Sequence, residues 1–245
     1  EIMHDSQKEY FFVFENVNVP YDYNKLEYGD GTLIKIFRNF EEAKVFSSGR
    51  KFSIGTDKVQ QAKQACSDLG FEAGTPQFGS CWAAQIAVHV AGGKVEKHPK
   101  GREMGVARKI YLTEAGKNHP MYNKKPPVFD GFISHDDEIT EMPEGVVVLA
   151  SNDFTSVQAV DVKYKNGSFW ATQYHPEYDL KEMARLINAR EKKLTFEGYF
   201  KSHEDMVEYT NTLEAIAKDP SRKDLRWMTG IDNELLNDEI RQCEF

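Results

Sequence analysis

Cysteine is scarce in this 245-residue chain: only Cys66, Cys81 and Cys243 occur, widely spaced and odd in number. That pattern argues against a disulfide framework or a zinc cluster and for reduced thiols. Long apolar runs are missing too. The longest candidates, FFVF at 11–14 and GVVVLA at 145–150, fall far short of the roughly 18–20 residues that span a bilayer. The opening EIMHDSQKEY lacks the basic and then apolar pattern of a secretory leader, so a cytoplasmic location is expected. Positive charge is in deficit: 31 Lys and Arg face 39 Asp and Glu, a formal charge of −8, with the basic residues scattered singly or in pairs such as Lys124 and Lys125. No basic stripe is left to track phosphates, which argues against nucleic acid as a partner. A GxxxxGK phosphate loop is also missing, and no pair of histidines has metal-ligand spacing.

What is present suffices for one sizeable core: 40% of the residues are hydrophobic, and a single α/β domain over 1–245 is the expectation. Strand-like runs at EYFFVFEN, TLIKIFRN and AKVFSS precede a helix beginning near Thr56, with Val59, Ala62, Cys66 and Leu69 on its apolar stripe and Gly70 as its stop. Pro76 opens a strand that leads to Cys81. A buried helix follows from Trp82 to Ala91, ended by Gly92 and Gly93. This alternation predicts a parallel sheet with crossover helices. Short strands then recur at GVARKIYL, VFDGFIS, GVVVLAS, SVQAVDVKY and SFWATQYH. The remainder, 180–245, reads as a helical extension: Asp179 and Glu182 form a capping box, Ser202 with Asp205 starts another helix, and Pro220 ends it. The final segment carries Leu225, Trp227, Ile231 and Leu235 and is expected to pack on the domain.

Chemistry concentrates in two segments, TPQFGSCWAAQ at 75–85 and FWATQYHPEYD at 169–179. The first places Cys81 at a sharp turn from strand to helix, where free backbone N–H groups and the helix dipole favour a thiolate and can hold an oxyanion. Gly79 suits the tight backbone of such a turn. In the second, His175 and Glu177 share one face of an extended segment, so the carboxylate can orient the ring and raise its basicity. Together these are a thiol, a base and an orienting acid. Cys66, on an apolar stripe, reads as core, and His89 as packed within its helix.

The segment GSCWAAQ resembles the class I glutamine amidotransferase nucleophile motif GxCxGxQ, matching Gly79, Cys81 and Gln85 and departing at Ala83, and His175, Pro176 and Glu177 match the family's HPE residue for residue. The resemblance covers 43–180, and the C-terminal helices resemble those of stand-alone, GMP-synthase-like members. It implies a flavodoxin-like three-layer α/β sandwich with a mostly parallel central sheet and flanking helices. It further implies oxyanion donors at Gly49 and Trp82, and substrate-binding roles for Gln85, Ser134 and His135. The implied reaction is hydrolysis of the glutamine γ-amide through a Cys81 thioester, releasing glutamate and ammonia, without metal or organic cofactor. Family members usually hand ammonia to an ATP-using synthetase domain, so a separate synthetase partner is one expectation. A free-standing γ-glutamyl amide or peptide hydrolase is the alternative. A non-catalytic binding protein that retains the fold is the rival from another class, kept open by Ala83. The protease-like and chaperone-like branch of cysteine-elbow proteins commonly has histidine directly after the cysteine, where this chain has Trp82. The stretch NVNVPYDYNKLEYGDG, where the family's first helix is expected, is weakly helical.

Overall fold

The computed structural model describes residues 62–244 throughout and, ahead of them, the backbone of three strands, β1 (Ile2–Asp5), β2 (Tyr10–Glu15) and β3 (Thr32–Phe37). Two compact units result, Glu1–Ala65 and Cys66–Phe245. In the first, β1, β2 and β3 form an antiparallel sheet in that order. Two of these strands were expected from their apolar runs; β1 was not. AKVFSS, Gly49, the NVNVPYDYNKLEYGDG stretch and the expected helix start near Thr56 lie outside the described residues.

Residues 62–65 are helical and lead into a π-helical segment, Cys66–Glu72. Gly70, expected to stop this helix, lies inside it. The Gln77 side-chain amide lies over it, 1.8 Å from where a Cβ would stand, so a larger residue there would displace that side chain. Cys66 is buried as expected, whereas Leu69 is exposed.

Further strands follow in chain order: β4 (Gln77–Ser80), β5 (Lys94–Lys97), β6 (Glu103–Leu112), β7 (Val128–His135), β8 (Asp137–Glu141), β9 (Val146–Ser151), β10 (Ala159–Tyr164) and β11 (Gly167–Thr172). Six of them form a mixed sheet in the order β4-β11-β10-β9-β6-β7, while β5 and β8 pair separately. Parallel pairing in this unit occurs at β4 and β11; the neighbouring described pairs are antiparallel. The short β5–β8 pair was not anticipated, because KVEK and DEITE are polar and mostly exposed and carry no clean apolar alternation.

Successive residues of β7 serve opposite faces of the sheet, as strand geometry requires. Phe132 packs with the C-terminal helices, in a core that includes Met183, Ile187, Leu194, Met206 and Ile216. Phe129 and Ile133 join Ile110, Leu149 and Tyr174 in a second core. The helices are α1 (Trp82–Val90), α2 (Glu114–Lys117), α3 (Leu180–Ala189), α4 (Glu191–Phe196), α5 (His203–Lys218), α6 (Lys223–Thr229), α7 (Asn233–Leu236) and α8 (Asp238–Arg241). Asp179 caps α3 by accepting from the Glu182 N–H at 2.8 Å, and Ser202 caps α5 from the Asp205 N–H. These are the caps read from the sequence. In the tail Ile231 and Leu235 are buried as expected, but Trp227 is 87% exposed. Among the described residues no helix is long and apolar enough to cross a membrane.

Candidate active site

Parallel pairing of β4 with β11 sets Gly79 against Ala171 and Ser80 against Thr172, so both strands deliver their carboxyl ends to one edge of the sheet. Cys81 follows the first strand and the His175 segment follows the second. The Cys81 N–H donates to Thr172 O at 2.7 Å, tying the two exits together. Cys81 adopts φ 54° and ψ −106°, a left-handed backbone unusual for a residue with a Cβ. Such strain at a strand-to-helix turn is what a nucleophile elbow displays. A Cβ on Gly79 would sit 2.5 Å from Ala83 Cβ and 3.3 Å from the Phe169 ring. The Ala83 methyl is therefore turned onto the sheet, where a glycine opposite makes room for it.

His175 and Glu177 lie just beyond β11, which ends at Thr172, and not on the strand itself. The chain bends because the Thr172 hydroxyl donates to Tyr174 O at 2.8 Å and the Tyr178 N–H turns back to His175 O. The turn keeps both side chains together: His175 Nδ1 meets Glu177 Oε1 at 2.6 Å. Ser80 Oγ donates to the same carboxylate oxygen at 2.8 Å. The His175 N–H is fixed to Phe132 O at 2.7 Å, and Tyr178 stacks on the imidazole with ring centroids 3.9 Å apart. Burial alone would favour a neutral imidazole. Hydrogen bonds to the Cys81 sulfur and to Glu177, with the charges of both, outweigh it and raise the His175 pKa to about 9. Burial likewise opposes a charged Glu177, yet the His175 and Ser80 hydrogen bonds and the imidazolium charge hold its carboxyl below the usual range.

Other expected residues divide. Ser134 is adjacent to Cys81: its carbonyl oxygen accepts from Cys81 Sγ at 3.6 Å. Trp82 opens α1, where the first-turn N–H groups have no intrahelical acceptor, and its side chain is exposed. Gln85 is buried, with Nε2 donating to Asp137 O at 2.9 Å and Gln173 Oε1 at 3.1 Å, so a substrate contact would fall to its carbonyl oxygen. The His135 ring is committed elsewhere: Nδ1 meets Asp137 O at 2.8 Å and Nε2 meets Glu103 Oε2 at 3.0 Å. Glu103 also accepts from Asn152, Thr155 and Gln158, making a buried polar knot around the carboxylate. Gly49 lies outside the described residues. His89 is exposed, not packed. Three contributors escaped the sequence reading: Ser80, Tyr178 and Arg190, whose Nη1 donates to Ser134 Oγ at 2.5 Å. Ser80 lies inside GSCWAAQ and Tyr178 directly follows HPE, so both could have been found there; nothing local marks Arg190. Among the described residues no grouping of three His, Cys, Asp or Glu side chains is suited to hold a metal ion.

The family profile described as "Glutamine amidotransferase class-I" matches residues 48–192. The chain belongs to the class I glutamine amidotransferase family. Among curated amidotransferase relatives, a γ-glutamyl-L-1-hydroxyisopropylamide hydrolase from a Pseudomonas species is 36% identical over 150 residues, covering 60% of this chain and 50% of that protein. A glutamine-hydrolysing GMP synthase from Thermosipho africanus is 30% identical over 140 residues, covering 57% and 25%. One subunit of the glutamine-hydrolysing GMP synthase of Methanocaldococcus jannaschii is 30% identical over 123 residues, covering 50% and 61%. The chain thus spans between a quarter and about three-fifths of these relatives' lengths. The crystal structure of a glutamine amidotransferase from Thermotoga maritima shares the fold, with a TM-score of 0.51 at 18% identity over 73% of this chain and 75% of that one. Class I amidotransferases and this chain accordingly share an α/β fold with a mixed sheet flanked by helices.

Proposed function

We propose that this chain is a cysteine hydrolase of γ-glutamyl amides, glutamine among them, acting through a Cys81 thioester. The observation that carries the reading is the left-handed elbow at Cys81, whose N–H is tied at 2.7 Å to Thr172 O just ahead of His175, the imidazole that Glu177 orients at 2.6 Å. The Cys81 thiolate attacks the γ-carbonyl carbon, and the Trp82 N–H holds the oxyanion; the second donor, which the family resemblance puts at Gly49, lies outside the described residues. His175, protonated at neutral pH by virtue of its raised pKa, gives its proton to the departing ammonia or amine. The same ring, now neutral, takes a proton from water, which cleaves the thioester and releases glutamate and the free thiol. Gln85 and Ser134 contribute to the pocket, Ser134 from beside the sulfur; the His135 side chain acts at most by supporting that strand end. One amidotransferase-like domain over 1–245, extended by helices at 180–245, and a reducing cytoplasmic setting belong to the same proposal.

Two fates of the amine follow from the family. Ammonia from glutamine could be handed to a separate synthetase, the arrangement suggested by likeness to the Methanocaldococcus protein, itself one subunit of a GMP synthase. Direct hydrolysis of a γ-glutamyl alkylamide is suggested by the Pseudomonas relative. Purified chain assayed with glutamine and with a panel of γ-glutamyl alkylamides and dipeptides separates them. A free-standing hydrolase turns over at least one alkylamide or dipeptide unaided, while a synthetase-dependent protein is nearly inactive until its partner is added. Absence of a Cys81 acyl-enzyme with every substrate, with or without partner, would leave the non-catalytic rival.

A further inference from the structure

Resting on that reading, we infer that Arg190 anchors the α-carboxylate of the γ-glutamyl group. Its guanidinium reaches the site from the junction of α3 and α4, where its backbone N–H closes the end of α3 on Leu186 O and Ile187 O. Nη1 donates to Ser134 Oγ at 2.5 Å, and the carbonyl oxygen of the same serine accepts from Cys81 Sγ at 3.6 Å. One buried residue therefore separates the fixed cation from the nucleophile. The carboxylate carbon of a γ-glutamyl group lies about 5 Å from its amide carbon when extended.

Charge supports the assignment. Arg102, Arg108, Arg185, Arg222 and Arg241 each pair with an Asp or Glu side chain. Arg190, held by Ser134 Oγ, and Arg226, held by backbone carbonyls and Asn233 Oδ1, are the two for which no acidic pairing occurs among the described residues, and of these Arg190 alone stands beside Ser134. A half-buried guanidinium held by a neutral hydroxyl keeps donors for a planar anion, and a carboxylate accepts from that fork in bidentate fashion. Ser134 then positions Arg190 on one side and faces the sulfur on the other, so binding of the carboxylate sets the register of the amide carbon over Cys81.

The test compares wild type with Arg190→Gln and Arg190→Lys. Substrates are glutamine, 4-aminobutyramide, which lacks the α-carboxylate, and γ-glutamylalanine, which carries a second carboxylate on the leaving amine. A parallel titration measures glutamine binding to Cys81→Ala with and without Arg190→Gln. The expected result is a KM for glutamine raised about 10- to 100-fold by Arg190→Gln. The kcat changes little, Arg190→Lys is intermediate, and wild type's preference for glutamine over 4-aminobutyramide is erased. Thermal unfolding of each variant shows that the fold is kept. Wild-type turnover with glutamine affinity and discrimination unchanged in Arg190→Gln overturns the anchor and leaves the hydrolase intact. An effect confined to γ-glutamylalanine also overturns it, placing the bound carboxylate on the leaving group. Glutamine binding that Arg190→Gln abolishes, in a protein that turns over nothing, upholds the anchor and removes the hydrolase. Absence of both binding and turnover removes both.

Discussion

His175 sits between a thiol and a carboxylate, and its charge state follows from holding both. Its folded pKa, about 9, exceeds the ordinary value of 6.5. It therefore contributes stability that is complete below about pH 6.5 and is lost as pH rises through about 9. The contribution is on the order of 3 kcal/mol. Denaturant unfolding between pH 6 and 10 is expected to show this loss in wild type and to lack it in His175→Ala. Cys81→Ala, which removes one source of the upward shift, moves the loss to lower pH. Ser80→Ala deletes one of the side-chain hydrogen bonds on Glu177 and is expected to lower kcat/KM by about fivefold to tenfold, the value of roughly 1 kcal/mol. A glutamine-like chloroketone should label Cys81 and spare Cys66, whose thiol is pushed up to about 12 by burial. Preferential labelling of Cys66 would falsify the nucleophile assignment. Cys81, His175 and Glu177 could be singled out in the sequence because each stands in a short family motif, and the structure sets them at adjoining strand exits. Arg190 was not, because its nearness to Ser134 is created by packing between residues distant in the chain.

At the scale of elements, the elbow depends on how closely α1 approaches β4. Gly79→Ala would press a methyl against Ala83 Cβ and the Phe169 ring; the expected cost is about 1–3 kcal/mol of stability, with a larger fractional loss of activity as Cys81 is displaced. The double variant Gly79→Ala/Ala83→Gly relieves the nearer contact and should recover part of both, measured as a double-mutant cycle in urea unfolding and turnover. The main strands, α1 and the caps at Asp179 and Ser202 were readable from apolar runs, glycine stops and capping residues. Three features were not. The π-helical segment runs through Gly70, which does not take the left-handed backbone of a helix-ending glycine. The β5–β8 pair is too polar to announce itself. The HPE turn leaves the strand because Thr172 redirects the chain by a side-chain hydrogen bond that no periodicity reveals.

Across the larger unit, the last described residues reach back to the core beneath the site. Lys125 Nζ and Glu244 Oε1 meet at 2.7 Å with side chains 2% and 0% exposed. Tyr174, the residue before His175, donates to the same carboxylate, and Tyr122 contacts Tyr174. Removing one partner strands a buried charge, so Lys125→Met is expected to cost about 3–5 kcal/mol, while Lys125→Met/Glu244→Leu costs markedly less. Chemical unfolding of both variants checks this, and lower activity at temperatures where the fold persists would show the tail supporting Tyr174. The sequence by itself determined the family and the class of fold, because Cys81, His175 and Glu177 stand in two local family motifs and apolar spacing dictates strands and helices. Only the tertiary structure decided that β4 and β11 run parallel at one sheet edge, that Ser80 reaches Glu177 from the other motif, and that Arg190 reaches Ser134. Such proximities arise from pairing and packing between segments far apart in the chain, and no local pattern encodes them.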